Sequence, residues 1–156
     1  MINRVHNQTA LRYVFFKKEG KEHLLEKVLN GFNHLTEWNY KRLTETGAFY
    51  SRDLQNSDPF VNIQLPFYAV SELKSQNGIG GTSTMQYSYE GAKLHKQGKG
   101  FMGFRKVISS DLTMGTMAIT EMQFISSPVV AAAVQKTWTY RGNTTLNETT
   151  YENEFI

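Results

Sequence analysis

Four histidines offer the first opening for metal or acid–base chemistry, but His6, His23, His34 and His95 are far apart along the chain. None forms a His-x3-His or His-Glu-x2-His pair, the spacing that sets two imidazoles on one helix face for zinc. They read as surface or structural residues. Glu37, Glu72, Glu90 and Glu121 all fall in strand-like stretches. A glycosidase pair meets in space rather than in sequence, so their spacing alone leaves that chemistry open, although most strand carboxylates are solvated. A serine nucleophile would sit in a Gly-x-Ser-x-Gly elbow; none occurs, and Gly81-Thr82-Ser83 leads into a strand. With no cysteine in the chain there is no disulfide, thiolate zinc site or thiol nucleophile.

Two glycine-rich runs, Gly78-Ile79-Gly80-Gly81 and Gly98-Lys99-Gly100-Phe101-Met102-Gly103, lack both Gly-x4-Gly-Lys-Ser/Thr and a strand-to-helix setting. Without a helix N-terminus there is no row of backbone donors for a phosphate, so these are turn glycines. The expectation is therefore no catalytic residue, no metal ligand and no cofactor. Two alternatives remain. Trp138, Tyr140 and Tyr151 could stack on sugars if exposed together, which would make a glycan- or protein-binding module. Carboxylates or histidines converging in one cleft would instead indicate a hydrolase.

The elements that would carry these residues are strands. Thr36, Trp38 and Tyr40 alternate with Glu37, Asn39 and Lys41, and Met85, Tyr87 and Tyr89 alternate with Gln86, Ser88 and Glu90. Trp38 and Tyr40 are expected to face the core. Residues 23–29 and 34–43 flank the turn Asn30-Gly31-Phe32-Asn33 as a hairpin, although Leu24, Leu25, Val28 and Leu29 would also fit a short helix. Residues 44–59 read as polar loop, and Val61, Ile63 and Leu65 alternate until Pro66 interrupts them. Further hairpins follow around Asn77-Gly78-Ile79-Gly80-Gly81, Asp111-Leu112-Thr113-Met114-Gly115 and Arg141-Gly142-Asn143, with residues 91–100 mostly loop. The predicted fold is mainly β, antiparallel hairpins in a curved sheet with little helix, as one segment over 1–156.

Composition agrees: 40% hydrophobic, 20% charged and 13% aromatic residues describe a folded, sheet-prone chain. The net charge of +3 is spread out, and Lys93, Lys96, Lys99, Arg105 and Lys106 form one loose cluster, so no nucleic-acid partner is expected. No apolar run reaches a membrane span, and Met1-Ile2-Asn3-Arg4 opens no signal peptide; an exported parent would carry its signal elsewhere. Asn-x-Thr triplets at Asn7, Asn143 and Asn147 are too short to carry meaning.

Gln86-Tyr87-Ser88-Tyr89-Glu90-Gly91-Ala92-Lys93, followed by Gly98-Lys99-Gly100-Phe101-Met102-Gly103-Phe104-Arg105-Lys106-Val107, resembles a recurrent segment of Rhs/YD-repeat proteins. The similarity is to the SpvB-like and insecticidal toxin complex B-type members, in which Tyr-x-Tyr-x-Gly-Ala precedes Arg-Gly-Phe-x-Gly-Phe. Lys99 stands at the arginine position, which keeps the charge and loses the forked donor. Residues 25–40, Ser75-Gln76-Asn77-Gly78 and Thr120-Glu121-Met122-Gln123-Phe124 extend the resemblance to roughly residues 22 to 130. It implies a non-catalytic segment of a β shell that encloses an effector in a large, secreted or surface-exposed bacterial protein. Tyr87, Tyr89, Gly91, Gly100, Phe101, Gly103 and Phe104 would be its structural motif residues. Partners would be neighbouring strands of the parent polypeptide, and the chain on its own is expected to dimerise by strand exchange through unpaired edges.

Overall fold

The computed structural model describes residues 23–45 and 47–153. Its strands are β1 (Lys27–Leu29), β2 (Leu35–Arg42), β3 (Tyr50–Ser51), β4 (Phe60–Asn62), β5 (Tyr68–Gln76), β6 (Thr82–His95), β7 (Gly100–Asp111), β8 (Thr116–Ile125), β9 (Ala131–Arg141) and β10 (Thr144–Thr150). They form one open sheet in the order β1-β2-β5-β6-β7-β8-β9-β10, with β3 and β4 attached to β6. Every pairing is antiparallel except the short β3–β6 contact. The mainly β, antiparallel expectation holds, and no described residue is helical. The ambiguous run before Asn30 is extended, not helical, and contributes only Lys27–Leu29.

Local chemistry sets the hairpins. Asn30, Asn77 and Asp111 each open a turn whose backbone N–H groups donate to their side-chain oxygen: Phe32 and His34 to Asn30, Ile79 and Gly81 to Asn77, Thr113 and Met114 to Asp111. Such side chains replace a backbone turn partner and fix the register on either side. Ser71 in β5, Met102 in β7 and Gln135 in β9 are extra residues opposite a single partner, and such bulges bend a sheet and increase its twist.

β6 organises the molecule. Along one side it is paired with β7 from Met85 to His95. Along the other it has three partners in turn: β5 as far as the Glu72–Gln86 pair, then β3 at Tyr50–Tyr89, then β4 at Phe60–His95 to Asn62–Lys93. The chain between β2 and β5 is thus wedged between two strands that are neighbours elsewhere. It brings in the core: Leu43, Phe49 and Tyr50 are buried with Ala92, and Ile63, Phe67, Ala69, Tyr89 and Phe104 pack around them. Elsewhere the sheet is a single layer. Among the described strands, close approach occurs between hydrogen-bonded neighbours and, slightly, between β7 and β9 across β8.

Three expectations need correction. Residues 91–100 are not mostly loop: β6 continues to His95, because Gly91, at φ 61, lets the strand change face without stopping. Tyr89 and Ala92 both meet the core cluster although strict alternation would put them on opposite faces. Residues 44–59 are not merely polar connection, since Phe49 and Tyr50 lie at the centre of the core. Trp38 and Tyr40 are half-buried and lie outside the buried cluster, because β2 is separated from that cluster's β6 residues by β5.

Gly91 and Gly115 test this account together. Both have positive φ, but a Cβ at Gly115 meets nothing within 4 Å, whereas at Gly91 it overlaps Asp53 Oδ2 and lies 2.8 Å from Asp53 Cγ and 3.0 Å from Arg105 Cβ. Gly115→Ala is expected to cost about 1–2 kcal/mol from backbone strain. Gly91→Ala is expected to cost roughly 2 kcal/mol more, because Asp53 must leave its charge-assisted bonds. Urea unfolding midpoints compare the two directly, and equal losses would contradict the close packing at Gly91.

Candidate functional site

The densest concentration of ionisable groups surrounds Arg105, on β7. Its Nε donates to both oxygens of Asp53 at 3.1 and 3.0 Å, and its Nη2 donates to Asp53 at 3.0 Å and to Glu90 at 2.8 Å. Nη1 reaches Glu121 at 3.2 Å. Asp53 also accepts from Lys93 Nζ at 2.9 Å, and Lys93 in turn donates to Asn62 Oδ1. Asn62 is tied back to its own loop through Gln55 O and Asn56 Oδ1. Glu90 lies 3.5 Å from Lys106, which closes a set of three carboxylates (Asp53, Glu90, Glu121) on three cations (Lys93, Arg105, Lys106).

Strand register explains the gathering. Glu90, Lys106, Glu121 and Lys136 are direct cross-strand neighbours on β6, β7, β8 and β9, a row of alternating sign. Lys136 extends it to Glu148 of β10. Asp53 is the member from outside the sheet, and it approaches because Gly91 has no side chain. Burial alone would raise its carboxyl pKa. The hydrogen bonds and charges of Arg105 and Lys93 outweigh that and leave it below the usual carboxylate range. Arg105 is pushed further up by its bonds to Asp53 and Glu90.

Carboxylates therefore do converge, as a hydrolase would need, but each is committed to a cation and none of the three lines either cleft described below. The arrangement is a neutralised clamp that holds the 47–65 segment on β6 and β7. Four of the five residues of the basic cluster seen in the sequence are paired: Lys93, Arg105 and Lys106 belong to the clamp, and Lys96 pairs with Asp58 at 2.6 Å.

The other residues singled out fall into place around it. Tyr89 and Phe104 rings lie 4.4 Å apart in the core, Phe101 packs on Phe67 and Phe104 at 5.4 Å each, and Tyr87 is half-buried at a cleft. Gly91, Gly100 and Gly103 have φ of 61, 81 and 110, so each occupies backbone that a side chain would strain. Burial pushes the Tyr89 hydroxyl up to about 12, and it donates to Val70 O at 2.9 Å. Tyr50 donates to Ile63 O at 2.6 Å and accepts from Ala92 N, stitching the inserted segment to β6.

The described histidines do not meet. His23 and His34 lie at the β1–β2 end, His95 is buried against Phe60, and His6, like Asn7, is outside the described residues. His95 Nδ1 accepts from Gln97 N, and its Nε2 has no protein partner. No group of three or more metal-binding side chains occurs among the described residues. The aromatics do not form one exposed platform either: Trp138 and Tyr140 are half-buried on β9, while the strongly exposed rings Phe32, Phe101 and Tyr151 stand on separate elements. Described residues line a pair of clefts of different size. The larger, about 550 Å³, lies where β5 and β6 part; the smaller, about 200 Å³, lies between His34 and the Gly78–Gly81 turn. Asp53 was missed in the sequence because it sits in a polar stretch without a period; Gly91 was its only signal.

A family model described as the insecticide toxin TcdB middle/N-terminal region matches residues 6–137. The chain belongs to that family. The match ends within β9, so β10 lies beyond it. Comparisons with curated proteins and with solved structures give no match. The toxin-complex part of the resemblance read from the Tyr87–Phe104 region is thereby established. No helix among the described residues is long and apolar enough to cross a membrane.

Asp53 gives the clamp a pH signature. Because its folded pKa is lowered, its contribution to stability is fully present above the unfolded carboxylate pKa and is lost as pH falls through the folded value. Asp53→Asn is expected to cost about 2–4 kcal/mol at neutral pH, since it leaves Arg105 and Lys93 under-paired, and to flatten the acid limb of the stability profile. Urea unfolding from neutral pH into the acid range checks both; an acid limb as steep in Asp53→Asn as in the parent sequence would contradict the assignment.

Proposed function

We propose that this chain is a non-catalytic wall segment of a larger toxin-complex protein of the Rhs/YD-repeat, SpvB-like type, contributing strands to a β shell that encloses or presents an effector. The observation that carries this reading is the single-layer sheet. Most stand-alone domains pack two layers around one core, whereas here the described buried apolar residues are Leu43, Phe49, Tyr50, Phe60 and Ala92, all at the inserted segment or the strand beside it. Among the described residues, the strands from β7 to β10 are held side by side with no other strand packed over them. Such a sheet gains stability by extending sideways, through more strands, rather than by closing on itself.

Its edges suit that role. Among the described strands β1 and β10 each have one partner, so their outer backbone groups point away from that sheet, and exposed edges template further pairing. β10 is a seven-residue strand with mostly exposed side chains, long enough to receive a neighbour. Membership of the toxin TcdB middle/N-terminal family supports a segment that works as part of a longer polypeptide, whose secreted or surface location belongs to this proposal. The neutralised clamp supports a structural use for the one place where charges gather.

Amide hydrogen exchange tests the edge role. In the full reading frame that contains this chain, the amides of Thr144–Thr150 are expected to be protected at least tenfold more than in the chain alone, as paired strands are. Equal exchange in both, or a reading frame with no β-rich sequence beyond this segment, would overturn the proposal.

A further inference from the structure

The cleft between β5 and β6 has a floor that neither the clamp nor the edges account for. Asn39, Glu72, Gln86 and Ser110 are direct cross-strand neighbours on β2, β5, β6 and β7, so one row of amide, carboxylate, amide and hydroxyl runs across four strands. At about 4.8 Å per strand the row is roughly 14 Å long, enough to underlie a disaccharide. Asn39 and Gln86 are exposed, and Asn39 Nδ2 donates to Glu72 Oε1 at 2.9 Å. Glu72 also takes Lys74 Nζ at 3.0 Å, which offsets its charge and leaves it an acceptor.

The cleft is there because β5 and β6 stop pairing at Glu72–Gln86 and are forced apart by the inserted segment, whose Ala48 and Phe49 line the gap. The hydroxyls of Ser71 and Ser88, the Lys41 side chain and the rings of Tyr40, Phe49 and Tyr87 complete its walls. A cleft of about 550 Å³ falls within the size of small-ligand sites. Its lining alternates donors and acceptors without a cluster of one sign, which disfavours phosphate and nucleic acid. Apolar ring surface beside hydroxyl and amide groups is the chemistry that recognises a sugar, whose C–H face packs on an aromatic ring while its hydroxyls exchange hydrogen bonds.

We propose that the β5–β6 cleft is a binding site for a neutral sugar chain one or two residues long, with Asn39, Glu72 and Gln86 reading its hydroxyl or acetamido groups. The site is independent of the wall role, since it uses neither an edge strand nor the clamp. Two probes separate the possible sources: cellobiose, which carries hydroxyls alone, and N,N′-diacetylchitobiose, which adds acetamido groups.

Saturation-transfer NMR on the chain with each disaccharide at millimolar concentration tests this. Transfer to at least one is expected, and the one preferred identifies the class. Asn39→Ala and Gln86→Ala both change exposed side chains, so the fold should persist, which circular dichroism checks; together they are expected to weaken binding about tenfold or more, the loss equivalent to one or two hydrogen bonds. Thr145→Ala on β10 should leave binding unchanged. Absence of transfer from both probes, or transfer undiminished in the Asn39→Ala/Gln86→Ala variant, would overturn the assignment.

Discussion

The contact on which most of this structure depends is the Asp53 carboxylate held against the bare backbone of Gly91 by Arg105 and Lys93. It joins a connecting segment to the middle of the longest strand. It adds a charged tether to a segment otherwise held by the short pairings of β3 and β4, the Tyr50 hydroxyl bonds and the buried Leu43, Phe49 and Tyr50 side chains. The same segment carries Phe49 and Tyr50 into the core. A charge pair of this kind contributes little in water, but here burial and several donors concentrate on one carboxylate, so removing any partner leaves the others exposed to the desolvation cost. The clamp thus serves specificity of placement more than bulk stability.

The sheet around it follows a different logic. From β7 to β10 the strands are joined by tight turns and cross-strand pairs, and no other described strand covers them. Apolar residues there, such as Ile108, Ile119 and Trp138, are half-buried by their own neighbours. A single-layer sheet has two surfaces that both need an environment and two edges that both invite pairing. Those properties are awkward for a free-standing domain and natural for a piece of a wall, and the family to which the chain belongs is a region of a larger toxin. The aromatic cluster and clamp at one end would then act as a buttress that stiffens the wall where β6 changes partners.

How much of this could be read from the residues alone varies with the range of the interaction. Hairpins were legible because Asn77-Gly78, Asp111 through Gly115 and Arg141-Gly142-Asn143 act on their immediate neighbours: an Asx side chain accepts two N–H bonds within four residues, and glycine supplies the positive φ. The face of β6 was legible as far as Tyr89, where alternation is strict. It failed at Gly91, because a single left-handed residue reverses the parity of everything after it, and the following stretch was taken for loop. Trp38 and Tyr40 were misplaced for a related reason: alternation says that two side chains share a face, but not how near that face lies to the core.

Composition, turn chemistry and period-two alternation, all local, determined that this chain would be an antiparallel β protein with hairpins at particular places, and the Tyr87–Phe104 pattern pointed to its family. Tertiary structure decided what no local rule contains: that a polar-looking segment supplies the core, that Asp53 meets Arg105 across 52 residues, and that β5 and β6 part to leave a cleft. The reason is physical. Alternation and turns are set by bonds among residues a few positions apart, whereas a clamp or a cleft depends on which distant strands share a side of β6, and that is fixed only when the whole sheet has assembled.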